Sequence, residues 1–226
     1  MEEESIQQVR EKIEAQTVCI AEPLFTSKSF PDKDWYLNAQ LHVTPEKWDT
    51  YAEGYKCAGD IAVQYVIDNN WYQDFLVYPI VFLYRHYLEL RLKDLYFVSS
   101  RLLDQDIDIP TNHNLLLCWD RVRSNIEQVW TDAGTKHALS KIEDRLKELN
   151  NVDVRSDAFR YPEDKQKKPT LAGLAHVNLK HLKEVVQGIA NVLDGSSIGI
   201  GEYLDAKNEM MAEYRAEMAR EYDNYY

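Results

Sequence analysis

One segment restricts the possible folds of this chain more than any other, the run YPIVFLYRHYLELRLKDLYFV from Tyr78 to Val98. On a helical wheel at about 100° per residue, it carries apolar side chains over most of its circumference. A helix that is apolar nearly all round is typical of the centre of a helical domain. The sequence therefore predicts a buried central helix with the other elements packed around it.

Four charged or ionisable residues interrupt this apolar surface within one narrow sector of the wheel: Arg85, His86, Glu89 and Lys93. Buried charges need partners or access to a cleft. Glu89 can pair with Arg85 and Lys93, each four residues away, in a structural salt-bridge ladder. Alternatively, the four side chains line a polar pocket with a binding or catalytic role. Both interpretations stay open at the level of the sequence.

The rest of the chain also indicates an all-α fold. With only 8 Gly and 7 Pro among 226 residues, turn signals are too few for a β-sandwich. We predict about six to seven helices, over residues 2–16, 44–68, 74–99, 111–130, 136–149, 174–193 and 202–221. The expected organisation is an N-terminal helix with an irregular connection over 17–43 (together 1–43), a helical bundle core (44–195) and a C-terminal acidic amphipathic helix (196–226).

Two of these boundaries depend on local capping signals. Thr44 can cap a helix whose first position is Pro45, and Gly195 is a plausible left-handed cap at the end of the sixth helix. The following SSIGIG run is predicted to be a linker, because it has neither the preceding strand nor the Lys of a phosphate-binding loop. These signals predict a break between the sixth and seventh helices.

The net charge of −12 disfavours a broad electrostatic nucleic-acid interface. Much of the acid lies in residues 1–14 and 202–223, however, so the centre of the chain is closer to neutral. The composition therefore leaves room for a small, specific anion site.

Several chemistries are not expected. The longest apolar run, Phe75 to Tyr84, has ten residues against the roughly 20 that span a bilayer, and the acidic N-terminus does not resemble a signal peptide, so we predict a cytoplasmic protein with no membrane contact. No zinc or cofactor motif occurs, and no cofactor is predicted. His176 and His181 are interpreted as a structural or surface pair. The three isolated cysteines are expected to be small buried hydrophobes: Cys19, Cys57 and Cys118.

The segment TNHNLLLCWD, residues 111–120, supplies a further candidate. His113 is predicted to lie in the first turn of a helix, where free backbone N–H groups favour anions and a neutral imidazole. Such a histidine could act as a base or hydrogen-bond a phosphate, or it could simply join the helix cap.

The segment VRSDAFRYP, residues 154–162, places Arg155, Asp157, Arg160 and Tyr161 in a loop, with Phe159 as a possible anchor. The planar fork of an arginine suits a carboxylate or phosphate, and Asp157 could hold an arginine in place. The alternatives are an ordinary salt bridge between loop and helices, or a pair between Arg160 and Glu89.

Together the segments YRHYLELRLKDL, HNLLLCW and SDAFRYP resemble a group of uncharacterised prokaryotic proteins related to the HEPN superfamily, which are small all-helical proteins of toxin and phage-defence systems. The resemblance covers about residues 75–195. Many HEPN proteins are metal-independent ribonucleases, and their motif is an Arg followed by a His after four to six residues, completed across a dimer. No His of this chain has an Arg at that spacing.

The resemblance implies a homodimer that takes RNA or a nucleotide ligand. In this hypothesis one pocket holds candidate catalytic residues and candidate ligand-binding residues. The former are Arg85, His86, Glu89 and His113, and the latter are Lys93, Asp157, Arg160 and Tyr161. The arginines would hold phosphate charge, and a histidine would move a proton or orient a 2′-hydroxyl.

A second hypothesis is a non-catalytic interaction module in which the same residues form a structural polar network. In the final helix, Leu204, Met211 and Met218 recur at a spacing of seven, with Tyr214 and Tyr222 beside them. An acidic amphipathic helix with Met and Tyr suits contact with a protein partner through residues 202–226, although packing against its own domain is the alternative.

Overall fold

A computed structural model describes residues 7–8, 11, 23–25, 27, 31–41 and 47–225, which fall into two units, 1–45 and 46–226. The described part contains five α-helices: α1 (Lys47–Asn69), α2 (Gln73–Leu102), α3 (Leu115–Val129), α4 (Ala133–Val152) and α5 (Leu179–Tyr225). No β-strand occurs in these residues, and Glu163 and Pro169 form only an isolated bridge. The all-α prediction is confirmed, with slightly fewer helices than expected.

In the first unit, Gln7, Gln8 and Glu11 are helical, and the remainder of the predicted helix 2–16 lies outside the described residues. A single 3-10 turn, Trp35–Leu37, interrupts otherwise non-helical backbone over residues 31–41. None of the three residues of this turn is buried.

The second unit is built around α2, which contacts α1, α3 and α5, while α4 packs on α3. Sixteen residues of α2 are buried, and they include both apolar side chains and five charged ones. The core consists mainly of Ile80, Tyr84, Leu88, Leu92 and Leu95 of α2 with apolar residues of its neighbours. The predicted central position of this segment follows from its nearly continuous apolar surface.

Capping side chains set the starts of α3 and α4. The Asn114 side chain accepts a hydrogen bond from Leu116 N (3.0 Å), and that of Asp132 accepts one from Thr135 N (2.9 Å). The prediction that α3 begins at residue 111 or 112 is therefore wrong, and His113 precedes the helix instead of lying in its first turn. Asn competes for backbone N–H groups and so favours the cap over the helix interior.

The predicted break at Gly195 is also wrong. Helix α5 is continuous from Leu179 to Tyr225, and no described glycine has a positive φ. Ile200 and Leu204 are buried, so their packing offsets the weak helix propensity of the glycines. A Cβ on Gly199 would lie 3.0 Å from Cζ2 of Trp130, which shows that this glycine allows close packing against the residue that caps the C-terminus of α3.

The remaining features are local. Residues 153–178 form an irregular connection between α4 and α5, which includes the predicted loop over residues 154–162. Cys118 is buried as expected, but Cys57 is exposed because its position on α1 faces away from the core, and Cys19 lies outside the described residues. None of the described helices has the length and apolar content needed to cross a membrane.

Candidate functional site

Arg85 of α2 is fully buried, and each of the three nitrogens of its guanidinium donates a hydrogen bond. Its Nε donates to the carbonyl of Asp153 (3.1 Å), Nη1 to Glu89 (3.2 Å) and Nη2 to the carbonyl of His113 (2.5 Å). Because no part of the side chain is exposed, Arg85 contacts the protein and not solvent. It fixes the loop before α3 and the loop after α4 against the central helix.

Glu89 is the hub of this network. Its oxygens accept from Lys93 Nζ (2.8 Å) and from Arg85, and they lie 2.9 and 3.2 Å from Nδ1 of His113. Burial disfavours the charged form, but hydrogen bonds from Lys93 and His113 outweigh it and hold the pKa of Glu89 below its usual value. Glu89 is therefore an ionised carboxylate inside the protein, and the predicted ladder with Arg85 and Lys93 is confirmed.

His113 is held by both its backbone and its ring. Its carbonyl accepts from Arg85, and Nδ1 faces the ionised Glu89, so Nδ1 carries the donated hydrogen. The side chain is 54% exposed. Nε2 is consequently the nitrogen left to accept a hydrogen bond or a proton, and the carboxylate fixes the tautomer and orientation of the ring.

Asp153, at the end of α4, is a network member that the sequence did not indicate. Its Oδ1 accepts from the backbone N–H groups of Asp157 (2.8 Å) and Ala158 (3.1 Å), and its Oδ2 lies 3.5 Å from Nε of Arg85. The carboxylate thereby connects the SDAFRYP loop to α2. The sequence offered no signal for this role, because a single Asp two residues after a pair of Asn resembles an ordinary helix end.

Arg160 is the exposed cation of that loop. Its guanidinium lies over the rings of Phe82 and Tyr161, 5.5 Å from each centroid, and Nε donates to the carbonyl of Ser156 (2.5 Å). Within residues 47–225 no carboxylate is at ion-pair distance, so the alternative pair with Glu89 does not form. Asp157 instead pairs with Arg155 (3.0 Å). The outer nitrogens of a guanidinium fixed in this way suit an oxyanion.

His86 lies between two other aromatic rings. It stacks on Phe82 (5.7 Å between centroids, 10° between planes) and meets the edge of Tyr55 from α1 at 4.4 Å. Burial lowers the pKa of His86, while the negative charge of Glu89 opposes this shift and the positive charges of Lys93 and Arg85 add to it. The imidazole is therefore neutral at pH 7.

Position along α2 relates these side chains to one another. Phe82, beneath Arg160, and Glu89, which contacts His113, are seven residues or about 10 Å apart along the axis, and His86 lies between them. Both partner loops thus reach the same face of α2. Arg85 and Glu89 are buried on this face of α2 and orient the side chains around them, whereas His113, Arg160 and Tyr161 are exposed.

A second polar network lies on another face of α2 and was not predicted from the sequence. Arg91 lies 2.6 Å from Asp49 of α1 and 2.9 Å from Asp194 of α5, and Asp94 is 3.5 Å away. Burial raises the pKa of Asp194 despite the charge of Arg91. The spacing of Arg91 and Asp94 was the available signal. This network joins three helices and is structural in geometry.

The predicted pair His176 and His181 lies apart from the face of α2 that carries His86 and Glu89. His176 and His181 line a mostly apolar cavity of about 270 Å³ between α4, α5 and Leu88 of α2. Among the described residues, no group of three His, Cys, Asp or Glu side chains could hold a metal ion.

No protein-family model, curated protein or solved structure matches the chain.

Proposed function

We propose that this chain is an HEPN-like protein of prokaryotic toxin or phage-defence type that cleaves RNA without a metal ion. The observation that carries the proposal is the contact between His113 and Glu89, 2.9 Å long, beneath an exposed imidazole. The usual Arg–His motif of the family is absent, so the roles belong to other residues. We further propose that the protein acts in the cytoplasm and that it is a homodimer, as the resemblance implies for its assembly.

The reaction would use the 2′-hydroxyl of RNA as the nucleophile. Nε2 of His113 takes the hydroxyl proton, the 2′-oxygen bonds to the adjacent phosphorus, and the bond from phosphorus to the 5′-oxygen breaks. The leaving 5′-oxygen takes a proton from water. The products are a 2′,3′-cyclic phosphate and a free 5′-hydroxyl. Glu89 keeps Nδ1 protonated and stabilises the imidazolium that forms.

Arg160 and His86 would bind phosphate along the same face. Arg160 has no carboxylate partner in residues 47–225 and can offer its outer nitrogens to a phosphate next to the cleaved one. The neutral imidazole of His86 has one N–H group to donate to a phosphate oxygen. Arg85 and Lys93 are positioning residues in this scheme, because both bond to Glu89.

The test is cleavage of labelled RNA by His113→Asn in a buffer that contains EDTA. Asparagine retains a donor for Glu89 but lacks the outer nitrogen that accepts the proton, so the fold should survive while the rate falls at least about 100-fold. His137→Asn, at an exposed position of α4, is the matched control and should cleave as wild type. The cyclic phosphate ends identify the reaction, and RNA with a 2′-deoxy nucleotide at the cut should resist. Absence of cleavage by the wild type refutes the ribonuclease.

The alternative is a non-catalytic helical module. It is favoured by the neutrality of the buried network, in which Arg85 and Lys93 balance Glu89 and Asp153. Under this proposal the exposed acidic end of α5 binds a protein partner through Met211, Tyr214, Met218 and Tyr222, all at least 43% exposed. Changes at His113 would then alter stability alone, whereas Tyr214→Asp would abolish partner binding in a pull-down with a defined candidate.

A further inference from the structure

An exposed aromatic ridge continues the face of α2 that carries His86 and Glu89. Phe75 and Tyr78 fall with Phe82, His86 and Glu89 within an arc of about 80° on the helical wheel. Phe75 is 72% exposed and Tyr78 49%. Aromatic side chains that line one exposed face in this way are characteristic of a binding surface, whereas single exposed rings are common.

The ridge has more rings at its outer end. Trp71 and Tyr72 meet edge to face at 5.7 Å, and Tyr72 meets Phe75 at 6.2 Å. Trp71 is 63% exposed, so its indole offers a free surface. The distance along the helix axis from the Trp71 end of the ridge to His86 is about 20 Å, which is long enough for several stacked bases.

A cavity of about 460 Å³ lies beside this ridge. Its lining includes Tyr78, Phe159, Arg160, Tyr161, Pro162 and Pro169. Tyr78 and Tyr161 both line this cavity, and the guanidinium of Arg160 lies over the Tyr161 ring. The cavity thus combines stacking surfaces with one cation that has no carboxylate partner in residues 47–225.

We infer that this face binds a single-stranded RNA segment through its unpaired bases, and that it leads the strand to His113. This inference rests on the proposed function and names the form of its substrate. Stacking on aromatic rings is tolerant of sequence and needs few cations, whereas backbone binding releases counterions and needs many. A protein with a net charge of −12 could bind RNA in this way. Duplex RNA keeps its bases stacked on one another and cannot supply free faces.

The experiment measures binding separately from cleavage. Fluorescence anisotropy of a labelled 12-nucleotide single-stranded RNA and of its duplex is followed with His113→Asn protein, which retains the surface. We expect single strands to bind at least tenfold more tightly than the duplex. Raising the salt concentration should weaken binding with a log–log slope of about −0.7 to −1.4, equivalent to one or two phosphates.

Variants of two rings test the stacking. In the same background, Tyr78→Ala and Tyr161→Ala should each weaken single-strand binding at least fivefold, because base stacking on one ring contributes about 1–3 kcal/mol. Tyr78→Phe and Tyr161→Phe keep the ring and should bind as the parent does. Tyr214→Ala is the matched control, because Tyr214 and Tyr161 are both 57% exposed and Tyr214 lies on the distant end of α5.

The outcomes separate this inference from the proposed ribonuclease. Three results would overturn the stacking surface. They are equal affinity for duplex and single strand, unchanged affinity in both alanine variants, and no binding when the protein is at 100 times the concentration used in the cleavage assay. Cleavage by the wild type with unchanged binding in the alanine variants leaves the ribonuclease and removes the ridge from its substrate site. Ring-dependent binding without cleavage retains the RNA surface and removes the catalytic role of His113.

Discussion

Replacing Arg85 by methionine should remove a substantial part of the stability of the helical core. The substitution keeps an apolar stem in the buried space but leaves two buried carboxylates, Glu89 and Asp153, without their shared cation. Loss of one partner of a buried ion pair costs about 3–5 kcal/mol. The carbonyls of His113 and Asp153 also lose a donor, at about 1 kcal/mol each.

Two features reduce this cost. Glu89 retains Lys93 and His113, and Asp153 retains two backbone N–H groups, so neither carboxylate is left without a hydrogen bond. Burial of the apolar end of the methionine side chain stabilises the variant by about 1 kcal/mol. A net loss of about 4 kcal/mol follows, against a total of about 5–15 kcal/mol for a domain.

Urea denaturation followed by circular dichroism measures the effect. With a slope near 2 kcal/mol per M, the midpoint should fall by about 2 M at an unchanged slope. Arg145→Met is the matched control, since Arg145 forms an exposed pair with Glu148 and should cost at most about 0.5 kcal/mol. On a Glu89→Gln background, Arg85→Met should cost at least about 1 kcal/mol less, because one buried charge has already been removed. A loss below about 1 kcal/mol in the wild-type background would refute the structural role of Arg85.

The remaining predictions concern pH and two glycines. Burial lowers the pKa of His86 below its ordinary 6.5, so near that pH the unfolded chain binds a proton that the folded chain does not. The free energy of unfolding should therefore decline as the pH falls through 6.5 and level off below the pKa of the folded state. Calorimetry from pH 8 to 5 should show a shallower decline for His86→Gln than for the wild type. Gly195→Ala should raise the free energy of unfolding by about 1 kcal/mol, because the position is helical and no atom lies within 4 Å of the added methyl group; a lower thermal midpoint would contradict a continuous α5. Gly59→Ala should instead destabilise the protein by about 1–3 kcal/mol, since its Cβ would lie 2.9 Å from Cε1 of the buried Tyr84 ring, and thermal melts of the two variants side by side check the opposite signs.

Local signals predicted the central helix well and the long C-terminal helix poorly. The segment from Tyr78 to Val98 is apolar over so much of its surface that any stable fold must bury it, and α2 is buried as predicted. Gly195 and the SSIGIG run resembled a cap and a linker by the same local rules. They are helical because neighbouring residues of α5 pack against Trp130 and the core, and Gly199 and Trp130 are 69 positions apart in the sequence.

The candidate site shows the same division. The spacing of Arg85, Glu89 and Lys93 predicted their ion pairs, because side chains four apart meet on any helix. The contact of Glu89 with His113 was not predictable in this form, since Asn114 moves the helix start and places His113 in a loop. The role of Asp153 depends on where the end of α4 meets α2, which no local pattern encodes.

The sequence by itself determined that the chain is helical, that its centre is the Tyr78–Val98 segment and that the ion pairs on α2 are possible. These properties depend on interactions within a few turns of one helix, where residue order alone sets the distances. Only the tertiary structure decided that the buried Arg85 and Glu89 contact His113 and that the guanidinium of Arg160 lies over the rings of Phe82 and Tyr161. Those contacts join loops to α2 from 24 to 78 residues away, and their positions are set by how the helices pack.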